Sequence, residues 1–242
     1  GDVYKRQIQA PSDSSQWASF RKALLDWRVQ IHENINYDAS LYDREDFQWV
    51  KSAFNCCFLM MYDQNFYDRE RNCYTVEKIL AEGRERFGGY DIVVLWHAYP
   101  RIGLDNRNQF DFYRDMPGGL TALKKVAEEL HEQGVKVYIN YNPWDTGTRR
   151  EGTHDIDALA TVIKSIGADG IFLDTMDRSS EEFRQKLDMA RMGVVLESEL
   201  ALPIEEISTH HMSWAQWFVD SAVPGILRSK WIEPRHIQHG IS

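Results

Sequence analysis

Cysteine is scarce in this chain of 242 residues, which has only Cys56, Cys57 and Cys73. An odd number of cysteines, two of them adjacent, lacks the paired spacing of a disulfide framework. We therefore expect reduced thiols that are buried as small apolar side chains.

The chain also lacks long apolar runs and an excess of positive charge. No run approaches the roughly 20 apolar residues that a membrane-spanning helix needs. The 37 acidic residues outnumber the 28 basic ones and give a net charge of -9, whereas nucleic-acid phosphates are bound by basic surfaces. The sequence predicts neither a membrane nor a nucleic-acid partner, and it leaves the oligomeric state and the cellular location open.

The beginning of the chain has an unusual composition. Residues 1–7 read GDVYKRQ, which resembles a translated sequencing-adapter remnant at the end of a metagenomic gene fragment, and we exclude them from fold reasoning. We expect the native N-terminus to be missing, so secretion stays possible. Residues 8–53 are predicted to form an N-terminal flank packed on the next domain, with a helix capped by Ser14 or Ser15.

Short apolar runs alternate with amphipathic helical patterns from residue 54 onward. The predicted strands cover residues 54–62, 92–96, 135–139, 171–173 and 194–196, and the predicted helices begin near Thr75, Gly119, His154 and Ser179. A long loop is expected at residues 97–117, and Ser179 with Glu182 matches a capping box. After Pro203 the pattern weakens, with a short helix around Trp214, Trp217, Phe218 and Val219 and a sixth strand from Gly225.

Strand-then-helix order implies a parallel sheet. A doubly wound sheet would satisfy it, but polar and aromatic residues follow nearly every strand, and there is no phosphate-binding glycine fingerprint. We therefore favour a (β/α)8 TIM-type barrel over residues 54–242. Only five or six strand–helix units are present, so the chain is expected to be a fragment of a longer protein and inactive by itself, because an incomplete barrel cannot close.

Two predicted strands end in a carboxylate: Asp174 follows GADGIFL, and Glu197 follows GVVL. Carboxylates at neighbouring strand ends are what glycosidic bond cleavage requires. Asp174 is the candidate nucleophile, and Glu197 is the candidate acid/base, with a pKa expected to be raised by burial and by the charge of Asp174. Glu199 points to the same side of the strand and is a rival or supporting residue, and Glu233 is a third candidate for the acid.

Aromatic and polar residues at other strand ends are candidates for binding a carbohydrate, because sugar faces stack on aromatic rings and hydroxyls take hydrogen bonds. These candidates are Trp96, His97, Asn142, Trp144, Asp145, Trp231 and Arg235, with Glu199 and Glu233 from the carboxylate set. Arg235 and His236 could orient a carboxylate or bind an acidic substituent.

A metal-dependent barrel hydrolase is one alternative, with ligands among His97, Asp145, Asp174, His210, His211 and His236. However, no His-x-His follows the first strand and no His-Glu-x-x-His occurs. Adjacent His210 and His211 also cannot both face one ion from a regular strand. We therefore expect no metal and no cofactor. A non-catalytic carbohydrate-binding barrel is the other alternative.

The segment Gly167-Ala-Asp-Gly-Ile-Phe-Leu-Asp174 resembles the fourth strand of retaining α-glycosidases of the α-amylase and α-galactosidase (melibiase-like) superfamily. The resemblance covers residues 54–236 and implies that Asp174 is the nucleophile. The amylase-like branch has its acid/base Glu after the fifth strand, which matches Glu197. The melibiase-like branch has an Asp after the sixth strand, where this chain has Glu233. The arginine found two positions before the nucleophile in amylases is replaced here by Phe172, which argues against an ordinary starch-type activity.

Overall fold

The computed structural model describes residues 10–97, 103–145 and 149–216, in two compact units that divide after Ala39. The first unit contains a 3-10 helix, Ser14–Gln16, followed by helix α1, Trp17–Asn34. The N-cap of the 3-10 helix is Asp13, whose carboxylate accepts the Ser15 N–H, and not Ser14 or Ser15 as predicted. Helix α1 has no buried residue. Its apolar side chains are therefore not packed into a core within this unit. The flank of residues 8–53 stays a prediction.

The second unit is built on a six-stranded parallel sheet with the order β1-β4-β5-β6-β7-β8. Its strands are β1 (Cys56–Met60), β4 (Ile92–Trp96), β5 (Lys136–Tyr141), β6 (Gly170–Leu173), β7 (Val195–Leu200) and β8 (Met212–Gln216). A short antiparallel hairpin, β2 (Tyr67–Asp68) with β3 (Cys73–Tyr74), follows β1. The helices are α2 (Ser40–Asp43), α3 (Val76–Phe87), α4 (Gln109–Arg114), α5 (Gly119–Glu132), α6 (Asp155–Ile166) and α7 (Glu181–Ala190), with 3-10 helices at Glu45–Ser52 and Ile204–Glu206.

The two faces of the sheet form different clusters, because successive side chains in a strand point to opposite sides. The outer face packs on α3, α5, α6 and α7 in the larger core, whose strand members include Val93, Leu95, Val137, Ile139, Ile171, Leu173 and Leu196. The other face, called the inner face below, carries Ile92, Val94, Tyr138, Phe172 and Val195. The long helices of the strand–helix units thus cover one face only, which rules out a doubly wound sheet.

Contacts of Phe58 show that the sheet is curled. Its ring centroid in β1 lies 5.0 Å from that of Phe172 in β6 and 5.3 Å from that of Trp214 in β8. At ~4.8 Å between neighbouring strands, a flat sheet would place its first and sixth strands about 24 Å apart. The fold is therefore an incomplete TIM-type α/β barrel, as predicted.

Residues 40–53 fill the inner face near the beginnings of the strands. Phe47 is 2% exposed and belongs to the inner-face cluster. Trp49 meets the ring of Tyr138 edge-on at 6.3 Å and lies 5.1 Å from the ammonium group of Lys136, the first residue of β5. The end of the inner face at which the strands begin is thus apolar and packed, and polar inner-face side chains are concentrated at the carboxyl ends.

Local sequence patterns located most of the repeating elements. The predicted strand over residues 92–96 is β4. Helix α3 ends at Phe87, and Gly88 forms its C-cap in a left-handed conformation with a φ of 80°. Among the described residues, no helix is long and apolar enough to cross a membrane.

Two further local predictions about helices were wrong. The loop expected at residues 97–117 contains α4, which begins with a capping box between Asn108 and Asp111. Ser180, not Ser179, caps α7 by accepting the Phe183 N–H. Since that helix begins one residue later than predicted, Glu181 and Glu182 both lie in its first turn, where the helix dipole favours negative charge.

The short helix predicted around Trp214 was also wrong, because this segment is the sixth strand of the sheet. It is β8, which pairs in parallel with β7 and carries Trp214, whereas the sequence predicted a short helix there. Pairing with β7 and packing of Trp214 on Phe58 and Phe172 determine the strand, and both contacts are remote in sequence. The strand proposed from Gly225, and Trp217, Phe218 and Val219, lie outside the described residues.

Candidate active site

Asp174 and Glu197 both belong to the inner face, close to the carboxyl ends of neighbouring strands. Asp174 follows β6 two positions after Phe172, and Glu197 lies in β7 two positions after Val195, and both preceding residues are in the inner-face cluster. Because side chains alternate along a strand, each carboxylate shares the side of its predecessor. Glu199 shares this side too, so three carboxylates lie within two adjacent strand ends.

The register determines which carboxylates are level with each other. Phe172 pairs with Glu197 and Leu173 with Ser198, so the next step along the two strands brings Asp174 level with Glu199. Glu197 lies one inner-face position deeper. The direct neighbour of Asp174 is therefore Glu199, and the charge of Glu199 acts on Asp174.

Asp174 is a buried carboxyl group, with 4% of its surface exposed. Its backbone N–H donates to the Tyr141 carbonyl at 3.0 Å, and its Oδ2 lies 3.4 Å from Asn140 Nδ2. Burial, followed by the charge of Glu199, raises the pKa of Asp174 to about 7, although hydrogen bonds from Asn140 and Trp96 oppose the rise. Asp174 can therefore change its protonation state near neutral pH.

Glu197 is equally buried, at 3% exposure. Burial raises its pKa to about 7, and a hydrogen bond with Trp214 opposes the rise. The sequence predicted that burial and the Asp174 charge would both raise the pKa of Glu197. Burial alone raises it, because Glu199 rather than Glu197 lies next to Asp174. Glu197 Oε2 has no hydrogen-bond partner among the described residues, so one oxygen of this carboxyl group is available for a proton or a ligand.

Trp96 and His97 follow each other at the end of β4 but face different surroundings. Trp96 packs on Phe58 with ring centroids 5.0 Å apart, and its side chain acts to lower the pKa of Asp174. His97 is fully buried, and burial lowers its pKa to about 4, so the imidazole is neutral at physiological pH. Its Nε2 lies 3.3 Å from Asn140 Nδ2. Asn140 therefore lies between His97 and Asp174.

Asn142 and Asp145 contact helix α4 through Gln109. The Asn142 N–H and carbonyl are both hydrogen-bonded to the Gln109 side chain at 2.8 Å. Asp145, which is 3% exposed, accepts the Gln109 N–H through Oδ2 at 2.7 Å. Both side-chain amide atoms of Asn142 are buried and have no hydrogen-bond partner within the part of the chain that the structure describes. Trp144, between them in sequence, is 39% exposed and presents an accessible indole.

Sequence reasoning missed Asn140, Trp214 and Gln109. Asn140 could have been found, because it interrupts an apolar strand two positions before Asn142 and so lies on the same face. Trp214 and Gln109 reach the site from a strand and a helix that were not predicted. Trp231, Glu233 and Arg235, together with His236, lie outside the described residues.

Among the histidines proposed as alternative metal ligands, those that the structure describes do not converge on one point. The His211 ring stacks on Phe47 with centroids 3.8 Å apart, whereas His210 Nδ1 lies 2.8 Å from Thr209 Oγ1. Within residues 10–97, 103–145 and 149–216, no three His, Cys, Asp or Glu side chains are grouped so that they could bind an ion. The described residues therefore provide no ligand set for a metal-dependent hydrolase.

Comparison with known proteins gives structural neighbours only. No family model matches the chain, and no curated protein matches it. Similar solved structures include an alpha-amylase from Geobacillus thermoleovorans, with 16% identity over 63% of this chain and 47% of that chain and a TM-score of 0.40. The alpha-N-acetylgalactosaminidase NagBb from Bifidobacterium bifidum is 14% identical over 76% of this chain and 40% of that chain, with a TM-score of 0.41.

The chain thus spans less than half the length of these two glycosidases. The YdjI aldolase from Escherichia coli K12 is also similar, with 10% identity over 69% of this chain and 66% of that chain and a TM-score of 0.33. Barrels of this type carry many chemistries. The reaction therefore has to be argued from the side chains of this chain.

Proposed function

We propose that this chain forms part of the catalytic barrel of a glycosidase that cleaves O-glycosidic bonds with retention of configuration. The observation that carries the proposal is the placement of Asp174, Glu197 and Glu199 on one inner face, at the carboxyl ends of two adjacent parallel strands. Active sites of TIM-type barrels lie at this end, and two carboxyl groups suffice for retaining hydrolysis.

Glu197 is suited to act as the acid/base. Because burial raises its pKa to about 7, much of the group carries a proton at neutral pH and can give it to the leaving oxygen as the glycosidic bond breaks. The resulting carboxylate then takes a proton from the water molecule that attacks the covalent intermediate. This proton restores the acid form, so no other acid is needed.

Asp174 is suited to act as the nucleophile in its ionised form. One of its oxygens forms a bond to the anomeric carbon while the bond to the leaving oxygen breaks, and water later displaces the carboxylate. Hydrogen bonds from Asn140 and Trp96 stabilise the ionised form against burial and the charge of Glu199. The site would therefore use one protonated and one ionised carboxyl group.

Glu199 is the second candidate for the acid/base. It is level with Asp174, is less buried than Glu197, and accepts the Thr175 N–H through Oε2 at 2.6 Å. In the arrangement that we favour, Glu199 instead holds the turn that carries Asp174, and Glu197 transfers the proton.

The substrate that we propose is a carbohydrate. Trp144 is 39% exposed, and we propose that its indole stacks on a sugar ring. The Asn142 amide and Glu197 Oε2, which have no hydrogen-bond partner among the described residues, are the groups that we propose to bind sugar hydroxyls, since buried polar groups are rarely left unpaired.

The test replaces Asp174 with Gly in protein expressed from the complete reading frame that contains residues 54–216. Aryl glycosides with a good leaving group are then supplied with azide, which can occupy the space of the lost carboxylate and attack the anomeric carbon directly. We expect hydrolysis to be lost and azide to restore turnover, with a glycosyl azide of inverted configuration as the product.

The matched control is Asp63→Gly, which removes the exposed carboxylate that follows β1. This variant should hydrolyse the same glycosides without azide. Unchanged hydrolysis by the Asp174 variant would contradict the nucleophile assignment. Carbohydrate binding by the parent without any product would instead favour a non-catalytic barrel.

A further inference from the structure

Asn140 links Asp174 to His97 through a single nitrogen atom. Its side chain lies on the inner face of β5 and is 1% exposed. Its Nδ2 is 3.4 Å from Asp174 Oδ2 and 3.3 Å from His97 Nε2. Both partners are thus within reach of the two hydrogens that one amide nitrogen carries.

The chemistry of the three groups restricts how this link can be arranged. An ionised carboxylate can only accept hydrogen bonds, so the amide must present its nitrogen to Asp174. The same nitrogen then donates its second hydrogen to His97 Nε2, which must be unprotonated. A histidine whose Nε2 carried the proton would instead attract the amide oxygen and turn the donor away from Asp174.

The surroundings of His97 keep it in the accepting form. The ring is fully buried, 5.6 Å from the ring of Tyr113 and 6.2 Å from that of Phe112. Burial lowers its pKa to about 4, and this outweighs the Asp145 charge and the Gln109 side chain, which act in the opposite direction. His97 is therefore neutral throughout the range in which Asp174 titrates.

We propose that neutral His97 fixes the orientation of the Asn140 amide, and that Asn140 is the positioning residue that holds the carboxylate of Asp174. This inference depends on the proposed function only for the role of Asp174. The hydrogen-bonded chain from His97 to Asp174 is independent of the reaction that the site performs.

The other groups that act on Asp174 make this donor important. Glu199 from β7 faces Asp174 with a like charge, the Trp96 side chain from β4 acts to lower the pKa of Asp174, and Glu197 lies one inner-face position deeper. Loss of the Asn140 donor leaves Trp96 to oppose both burial and Glu199. The protonated form of Asp174 should then persist to higher pH.

The test follows the side-chain carboxyl of Asp174 by ¹³C NMR during a pH titration of the chain. Asn140→Ala should move the titration midpoint upward by about one pH unit, which is the usual effect of losing a hydrogen bond to a charged form. His97→Phe, which removes the acceptor, should move it in the same direction. His97→Gln should restore most of the original midpoint, because its amide oxygen can accept from Asn140.

A second measurement needs no substitution. The ¹⁵N shifts of the His97 ring in the parent chain should show an unprotonated Nε2 and a protonated Nδ1. The control variant Asn55→Ala removes an amide whose partners lie before β4, at the opposite end of the strands, and it should leave the Asp174 midpoint unchanged.

An unchanged midpoint in Asn140→Ala, or a protonated Nε2 in the parent, would overturn the inference. Equal shifts in His97→Gln and His97→Phe would show that His97 acts only through packing and would overturn its orienting role. If the midpoints shift as expected but azide does not rescue the Asp174 variant, the positioning role stands and the glycosidase proposal fails.

Discussion

The backbone N–H of Thr175 donates to Glu199 Oε2 at 2.6 Å, and Thr175 makes this contact from a left-handed conformation with a φ of 59°. A β-branched residue rarely adopts a positive φ. Strain of this kind persists where the surrounding contacts enforce it. Because Thr175 directly follows Asp174, the same strained turn fixes the carboxylates of both Asp174 and Glu199.

Thr175→Gly should stabilise the chain slightly. Relief of the left-handed conformation is worth about 1–2 kcal/mol, and the added freedom of the unfolded backbone offsets about 0.5–1 kcal/mol of it. We expect the free energy of unfolding, measured by urea denaturation, to rise by about 0.5 kcal/mol. Asn72→Gly is the matched control, because Asn72 has a φ of 53° but is a residue type that tolerates it. The free energy of unfolding of the Asn72 variant should not rise. Equal increases for the two variants would contradict strain at Thr175.

The raised pKa values of Asp174 and Glu197 predict how stability depends on pH. Since both groups have folded-state pKa values of about 7 and ordinary values near 4 when unfolded, the folded chain binds more protons between these limits. The free energy of unfolding contributed by each group therefore falls as pH rises from about 4 to about 7, and it is constant outside this window.

Glu197→Gln should remove the contribution of Glu197 to the pH dependence of the free energy of unfolding, because glutamine does not titrate. Between about pH 4 and about pH 8, the free energy of unfolding of the variant should rise by about 3 kcal/mol relative to that of the parent. Urea denaturation at both pH values measures the difference. Glu129→Gln, an exposed change in α5, should give the same difference from the parent at both. A gain for Glu197→Gln that is larger at low pH would show that its pKa is not raised.

The identity of the acid/base can be tested through the leaving group. If Glu197 supplies the proton, Glu197→Gln should lower the rate about 10²–10⁴-fold for glycosides with a poor leaving group. Dinitrophenyl glycosides, whose leaving group needs no proton, should lose much less in bond cleavage. Hydrolysis by the parent should fall above about pH 7, since the acid form of Glu197 is then lost.

Glu199→Gln is the comparison for that experiment, because Glu199 is two positions along the same strand on the same face. It should slow hydrolysis of both kinds of glycoside, since it disturbs the turn that holds Asp174. A leaving-group dependence found in Glu199→Gln but not in Glu197→Gln would transfer the acid/base role to Glu199.

The parallel sheet and the strand-end position of Asp174 could be predicted from local pattern. Each is encoded within a few residues, as in the apolar run from Ile92 to Trp96 and in the helix stop at Gly167 that precedes β6. Periodicity also gave the shared side of Glu197 and Glu199, because it depends on alternation alone.

The register between strands could not be predicted in this way. That Asp174 is level with Glu199 depends on how β6 and β7 align, and a shift of two residues would have brought Glu197 beside Asp174 without changing any local pattern. Similarly, β8 is a strand because Trp214 packs on Phe58, more than 150 positions earlier in the chain. Contacts between distant segments therefore determined the parts of the site that the sequence left open.

Gly170 permits the close approach of β6 to the ring of Tyr138 on the inner face. A Cβ atom at this position would lie 2.3 Å from Tyr138 Cε1, and Gly170 does not have a positive φ, so the conflict is steric. Gly170→Ala should lower the free energy of unfolding by about 2–3 kcal/mol, as overpacking does in a rigid core. The exposed control Gly152→Ala, with nothing within 4 Å of the new Cβ, should change it by less than about 0.5 kcal/mol.

A double-mutant cycle locates the source of that loss. Tyr138→Leu alone should cost about 2–3 kcal/mol, because Tyr138 is fully buried and the smaller side chain leaves a cavity. Combined with Gly170→Ala, the added methyl group occupies part of this cavity, so the double variant should be at least about 1 kcal/mol more stable than the sum of the single losses predicts. Additive losses in urea denaturation would mean that the Gly170 backbone and the Tyr138 ring are not in contact, and the inner-face packing beneath Glu197 would then differ from the one described.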